Sequence, residues 1–142
     1  MSSKLDVDKL IKAIDNENNK VLMDLTSNKI KQIKNDMLQK LNLSRNELLL
    51  LHKKLKNYRY IDEIHELNYG TYVRWIDLSK EQIKLTNGGI VCEIKVMEDG
   101  IHIVCKNNMN YFFEFHFGKC MVFQKLTDQE QILLSALDHI SK

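Results

Sequence analysis

The densest group of side chains able to do chemistry is YIDEIHEL, where Asp62, Glu63, His65 and Glu66 fall within five residues. On a helix, Asp62 would share a face with His65 (i, i+3) and Glu66 (i, i+4), a spacing that can hold a metal ion or set a base beside an acid. A two-metal centre in a helical bundle needs a second carboxylate-x-x-His motif on another inward-facing helix. The only other match in spacing, Asp99-x-x-His102, falls in an expected hairpin. The cluster therefore reads as a solvated helix face with local ion pairs. Cys92, Cys105 and Cys120 are too scattered for a C-x-x-C pair. The expected register puts Cys92 and Cys105 on one core face and turns His102 and His116 to the other, so the cysteines read as small buried residues and not as zinc ligands. Gly88-Gly89 precedes a strand, where a phosphate loop would require a helix, and no nucleophile elbow or zinc-protease motif is present. No catalytic residue, metal ligand, cofactor or small-molecule substrate is indicated, and a metal-dependent enzyme ranks third among the functional readings.

A second chemistry is carried by LHKKLKNYRY, residues 51–60. Lys53, Lys54, Lys56 and Arg59 interleave with Tyr58 and Tyr60, and Arg74 follows in YVRWI. Cations beside aromatic rings can meet phosphates and stack bases. Charge is divided accordingly: the chain is +2 overall, but residues 27–60 hold 9 Lys/Arg against 2 acids. Nucleic-acid binding through Lys53, Lys54, Lys56, Tyr58, Arg59 and Arg74 is thus the alternative function. Such asymmetry equally permits attraction between parts of the chain or between copies.

These groups must be placed by the apolar pattern. From Leu5 to Leu25 the stripe Val7, Ile11, Ile14, Val21, Leu25, with Asn18 in its gap, predicts an amphipathic helix. Read as heptads, Asn18 is a polar residue at a core position, and Val7, Ile11, Ile14, Asn18, Val21 and Leu25 form a candidate dimer interface. The stripe breaks at Thr26-Ser27-Asn28 and resumes out of phase from Ile30 to Leu41. Ser44 with Glu47 is a capping box, flanked by Leu43 and Leu48 as a hydrophobic staple. The third helix is expected to carry Leu48, Leu51, Leu55 and Tyr58 and to run on through Ile61 and Ile64 until Gly70.

After Gly70 the period changes to 2. TYVRWIDL is a strand. A two-residue turn at Asn87-Gly88 would set Leu85 opposite Ile90, and one at Asp99-Gly100 would set Val96 opposite Ile103 and Ile94 opposite Cys105. In YFFEFHF, Tyr111, Phe113, Phe115 and Phe117 share the core face. The run LTDQEQILLSALDHI opens with a second capping box, Thr127 with Glu130, and its apolar stripe is expected to cover the sheet. The fold class is α+β: N-terminal helices (1–68), then a six-stranded antiparallel meander forming a small barrel or half-barrel with a C-terminal capping helix (69–142). The meander with its closing helix is similar to SH3-like and pleckstrin-homology-like folds at that level only, which does not establish function.

YVRWI, the NGGIV hairpin and FQKLTDQEQILLSALD resemble segments of small proteins encoded by large DNA viruses, over about residues 69–140. The AT-rich residue usage, with 18 Lys, 13 Asn, 2 Ala and no Pro, agrees with such an origin. The resemblance implies an intracellular protein of the virion or virus factory and carries over no activity. No run reaches the length of a membrane span, and MSSKLDVDKLIK lacks the apolar core of an export signal. The leading expectation is a non-catalytic interaction or scaffold protein whose partner is another protein or a second copy of the chain.

Overall fold

The computed structural model describes residues 6–17, 19, 22 and 25–140. The element order is α1 (Val7–Asp15), α2 (Ser27–Gln39), α3 (Arg45–Lys54), β1 (Tyr58–Ile61), β2 (Tyr72–Asp77), β3 (Gly89–Met97), β4 (Gly100–Lys106), β5 (Phe112–His116), β6 (Cys120–Lys125) and α4 (Asp128–Ile140). Helices, a six-stranded antiparallel sheet and a C-terminal helix are present, and five of the strands, β2 to β6, lie where the alternation implies. The sheet itself is open, in the order β1-β6-β2-β3-β4-β5.

Side-chain caps start the helices. Asp6 accepts the Lys9 N–H, Thr26 that of Lys29, Ser44 that of Glu47 and Thr127 that of Glu130. Each satisfies one of the orphan donors of a first turn. Glu130 completes its box by accepting the Thr127 N–H at 2.9 Å.

Several expectations are corrected. The first helix ends at Asp15, where Asn16 turns extended. Leu25 leaves the Val7–Ile14 stripe and packs with Leu22, Ile30 and Leu134. Asn18 and Val21 lie outside the described residues. Next to them Asn19 is the buried polar residue, and its Nδ2 donates to the Ala13 carbonyl and to Gln129 of α4.

The third helix stops at Lys54, and the expected helical segment 58–61 is a strand paired with β6. Leu51, Leu55 and Tyr58 keep a helical spacing, but YRYI also alternates, with Arg59 and Ile61 buried. A four-residue segment that fits both periods is decided by its tertiary pairing. A boundary at residue 68 thus passes between β1 and β2 of one sheet.

Segment 82–86 forms no strand. Leu85 bridges to Ile76 instead of facing Ile90, and Thr86 exchanges bonds with Trp75. The second hairpin turns on Glu98-Asp99, so Ile94 faces Ile103 and Val96 faces Ile101. That slip of two residues preserves which face each side chain takes. A bulge between Val91 and Glu93 makes Cys92 the extra residue and exposes it, while Cys105 stays buried.

Both sheet faces are covered near β2 and β6. On one face Ile61, Val73, Trp75, Val91, Ile103, Phe115 and Val122 pack together. On the other, Ile76, Met121 and Phe123 meet Leu38 of α2, Leu51 of α3 and Leu55, which caps α3. The C-terminal helix is not the lid of the sheet: Leu134 joins Leu22 and Ile30, and α4 lies against α1 and α2.

Candidate interaction surfaces

The structure divides the basic segment. Lys53, Lys54 and Lys56 are exposed at the end of α3. Arg59 is 2% exposed; it bonds the Glu66 carboxylate and carbonyl at 3.4 and 3.2 Å and sets Nε 3.5 Å from Glu130 Oε2. Tyr58 and Tyr60 pack on the α2/α3 side of the sheet, and burial raises both phenols above their ordinary value. Arg74 gives its Nε–H to the Thr86 carbonyl at 2.8 Å. Buried Lys34, which the pattern alone did not single out, donates to the carbonyls of Leu55 and Tyr58 at 2.8 and 3.0 Å, where α3 ends and β1 begins. Burial, with Lys31 nearby, lowers its pKa.

YIDEIHEL is not a helix face. Its centre is the 3-10 turn Ile64–Glu66, and Glu66 Oε2 accepts the backbone N–H groups of Asp62 and Glu63 at 3.0 and 2.8 Å. Glu63 and His65 form a surface pair at 3.1 Å. This segment and α2 bound a cleft of about 480 Å³, with Ile30, Ile33 and Met37 on one wall and Asp62, Glu63 and Glu66 on the other.

Of the proposed dimer stripe, Val7, Ile11 and Ile14 are exposed on α1, while Leu25 is half-buried. A second apolar surface went unrecognised in the sequence. Phe115 is buried as expected, but Phe113 is 47% exposed, Tyr111 60% and Phe112 65%, with Met109 beside them in the hairpin loop. The alternation was legible; that the end of this hairpin projects past the core was not.

This hairpin leads into β5, the terminal strand of the sheet. At its start the Asn107 N–H bonds the Tyr111 carbonyl. Given the register Cys105↔Phe113 and Ile103↔Phe115, antiparallel alternation makes those the hydrogen-bonded pairs. The N–H and C=O groups of Phe112 and Glu114 therefore point away from β4, along the open edge. The opposite edge strand, β1, lies against α2 and its Lys34.

On the outer face of the same strands, His102 lies directly across from His116, with ring centroids 4.9 Å apart. His102 Nε2 is 2.9 Å from Asp99 Oδ1, and Nδ1 is 3.1 Å from Glu114 Oε2. The hydrogen bond from His102 holds the Asp99 carboxyl below the usual carboxylate range. Lys95 pairs with Glu114 at 3.3 Å. The thiols have no part in this group: burial pushes Cys105 up to about 12 and Cys120 likewise up to about 12, so both stay protonated and weakly nucleophilic.

No family model matches the chain, and no curated protein or solved structure matches it. Among the described residues no helix is long and apolar enough to cross a membrane.

Proposed function

We propose that this is a non-catalytic protein-interaction or scaffold protein that works through the open edge of β5, and that the strand completing this edge comes from a second copy of the chain. The observation that carries the reading is β5 itself: a terminal strand with outward-facing backbone groups and exposed Tyr111, Phe112 and Phe113. A bare apolar edge of this kind is a template for strand addition. The pattern is also self-complementary. A two-fold axis through Phe113 pairs Phe112 of one copy with Glu114 of the other, and these are the residues whose backbone groups face outward. It sets Phe113 against Phe113 and keeps the two Glu114 carboxylates from facing each other. The aromatic side chains supply the apolar area that so short a strand lacks.

The alternative, nucleic-acid binding, rests on Lys53, Lys54 and Lys56, since Arg59 and both tyrosines are engaged internally and half-buried Arg74 is bonded to the Thr86 carbonyl. A place in the virion or virus factory follows only from the resemblance of residues 69–140 to viral proteins.

Sedimentation equilibrium tests the reading. The wild-type chain is expected to show a concentration-dependent dimer, lost in Phe113→Lys and in Glu114→Pro, a proline placed where the displaced N–H faces outward and no ladder bond to β4 is broken. A wild-type monomer at every concentration would remove self-pairing. A dimer that survives both changes but dissociates with Ile11→Lys and Ile14→Lys would move the interface to α1.

A further inference from the structure

Among the described residues, Asp99, His102 and His116 bring one ligand atom each to within 4.8 Å of one another. We propose that this trio at the β3–β4 turn is a binding site for a divalent transition metal of the zinc class. Two imidazoles and a carboxylate are the donors such ions prefer, and three protein ligands leave a fourth position for water.

A second observation points the same way. His102 turns its other ring nitrogen, Nδ1, to Glu114 Oε2 at 3.1 Å, and Glu114 is in turn fixed by Lys95. A carboxylate behind the distal nitrogen is the arrangement that orients metal-binding histidines and raises their basicity. The strands supply the rest. The ladder sets His102 and His116 opposite each other on a rigid sheet, and the turn swings Asp99 over them. Gly100 makes this approach possible: it has φ +127°, and a Cβ there would lie 2.9 Å from the His116 ring.

Loading the site has a structural cost that can be observed. At present His116 Nδ1 accepts the Gly118 N–H at 3.1 Å, so Nε2 carries the proton and donates to the Asp99 carbonyl at 2.6 Å. A metal on Nε2 takes the place of that proton. Nδ1 must then become the N–H, and the Gly118 bond at the start of the 3-10 turn Phe117–Lys119 is lost.

The experiment is a Zn²⁺ titration of the full, tag-free chain by calorimetry and by ¹H–¹⁵N NMR, with Co²⁺ absorption as a check on the ligand set. One ion per chain is expected, with shifts at His102, His116 and the Gly118 amide. His102→Gln and His116→Gln are expected to abolish saturable binding, and Glu114→Gln to weaken it about 10-fold. His65→Gln, which changes the separate Glu63–His65 surface pair, should bind as the wild type does. Circular dichroism confirms that each variant is folded. Absence of saturable binding at millimolar Zn²⁺, or equal binding by the His102→Gln/His116→Gln double variant, would overturn the proposal. So would 1:1 binding that leaves the Gly118 amide unmoved.

Discussion

Trp75 of β2 and Phe115 of β5 stack with ring centroids 4.2 Å apart and planes inclined by 21°, although β3 and β4 lie between them in the ladder. In a flat sheet three strand spacings would separate them by about 14 Å. The sheet therefore curls hard around this pair while its edges stay unjoined, and the stack sits at the centre of the apolar cluster inside the curl.

Removing one ring should uncurl the sheet. Phe115→Ala is expected to cost ~3–5 kcal/mol in denaturant unfolding, through lost burial and the cavity left behind. Trp75 is the single tryptophan, so its emission should shift to the red in the folded variant. An unchanged spectrum with full stability would mean that the stack does not hold the curl.

Arg59 and Glu130 join β1 to α4 with both side chains sealed from solvent, and at 3.5 Å neither the Arg59 Nε nor Glu130 Oε2 has a closer partner. Breaking a buried pair strands the remaining charge. Arg59→Met is expected to destabilise by ~3–5 kcal/mol, and Arg59→Met with Glu130→Gln by clearly less, because the neutral amide no longer needs a counter-charge. Additive losses across the double-mutant cycle would show that the two do not interact.

Alkaline stability should be dominated by the thiols. Cys105 and Cys120 rise from 9.0 to about 12 on folding. Between those values the unfolded chain releases protons that the folded one keeps, so stability falls as pH rises above 9. Tyr58 and Tyr60, also raised, act with the same sign above 10. Lys34, lowered, acts with the opposite sign as pH approaches 10.5 from below. Urea midpoints measured from pH 8 to 11 should decline, and less steeply in Cys105→Ala/Cys120→Ala. An identical slope in that variant would assign the decline elsewhere.

Thiol labelling separates the three cysteines. Cys92 is exposed at the bulge and should react at once with a disulfide reagent, half-buried Cys120 more slowly and buried Cys105 only on unfolding. A fast phase of more than one thiol per chain would contradict the placement of Cys120.

Gly88 should resist substitution. It has φ +83°, and a Cβ would meet the Val73 carbonyl oxygen at 2.1 Å, within the pairing of β2 with β3. Gly88→Ala is expected to cost at least ~2 kcal/mol, the left-handed penalty being added to displacement of the strand. A thermal midpoint equal to that of the wild type would remove this constraint.

The candidate sites were legible to different depths. The Asp99-x-x-His102 spacing and the shared outer face of His102 and His116 follow from local alternation, but that the two rings lie opposite each other depends on the register of two hairpins. Glu114 became a neighbour of His102 for the same reason. The exposed rings of Tyr111, Phe112 and Phe113 have the composition of a core strand; only the length of the hairpin relative to the core beneath it leaves them in solvent. Arg59 and Lys34 look like surface cations in a basic segment, and their burial depends on Glu66, Glu130 and two backbone carbonyls.

What the sequence by itself determined is the set of features carried by neighbours a few residues apart: the caps at Ser44 and Thr127, the strands β2 to β6, and the passage from helical to alternating period. What only the tertiary structure decided is the conversion of residues 58–61 into β1, the insertion of β6 between β1 and β2, the docking of α4 on α1 and α2, and the curl around Trp75 and Phe115. Those outcomes join segments 40 or more residues apart. Their free energy lies in shared burial and ladder bonds that no short window of the chain contains.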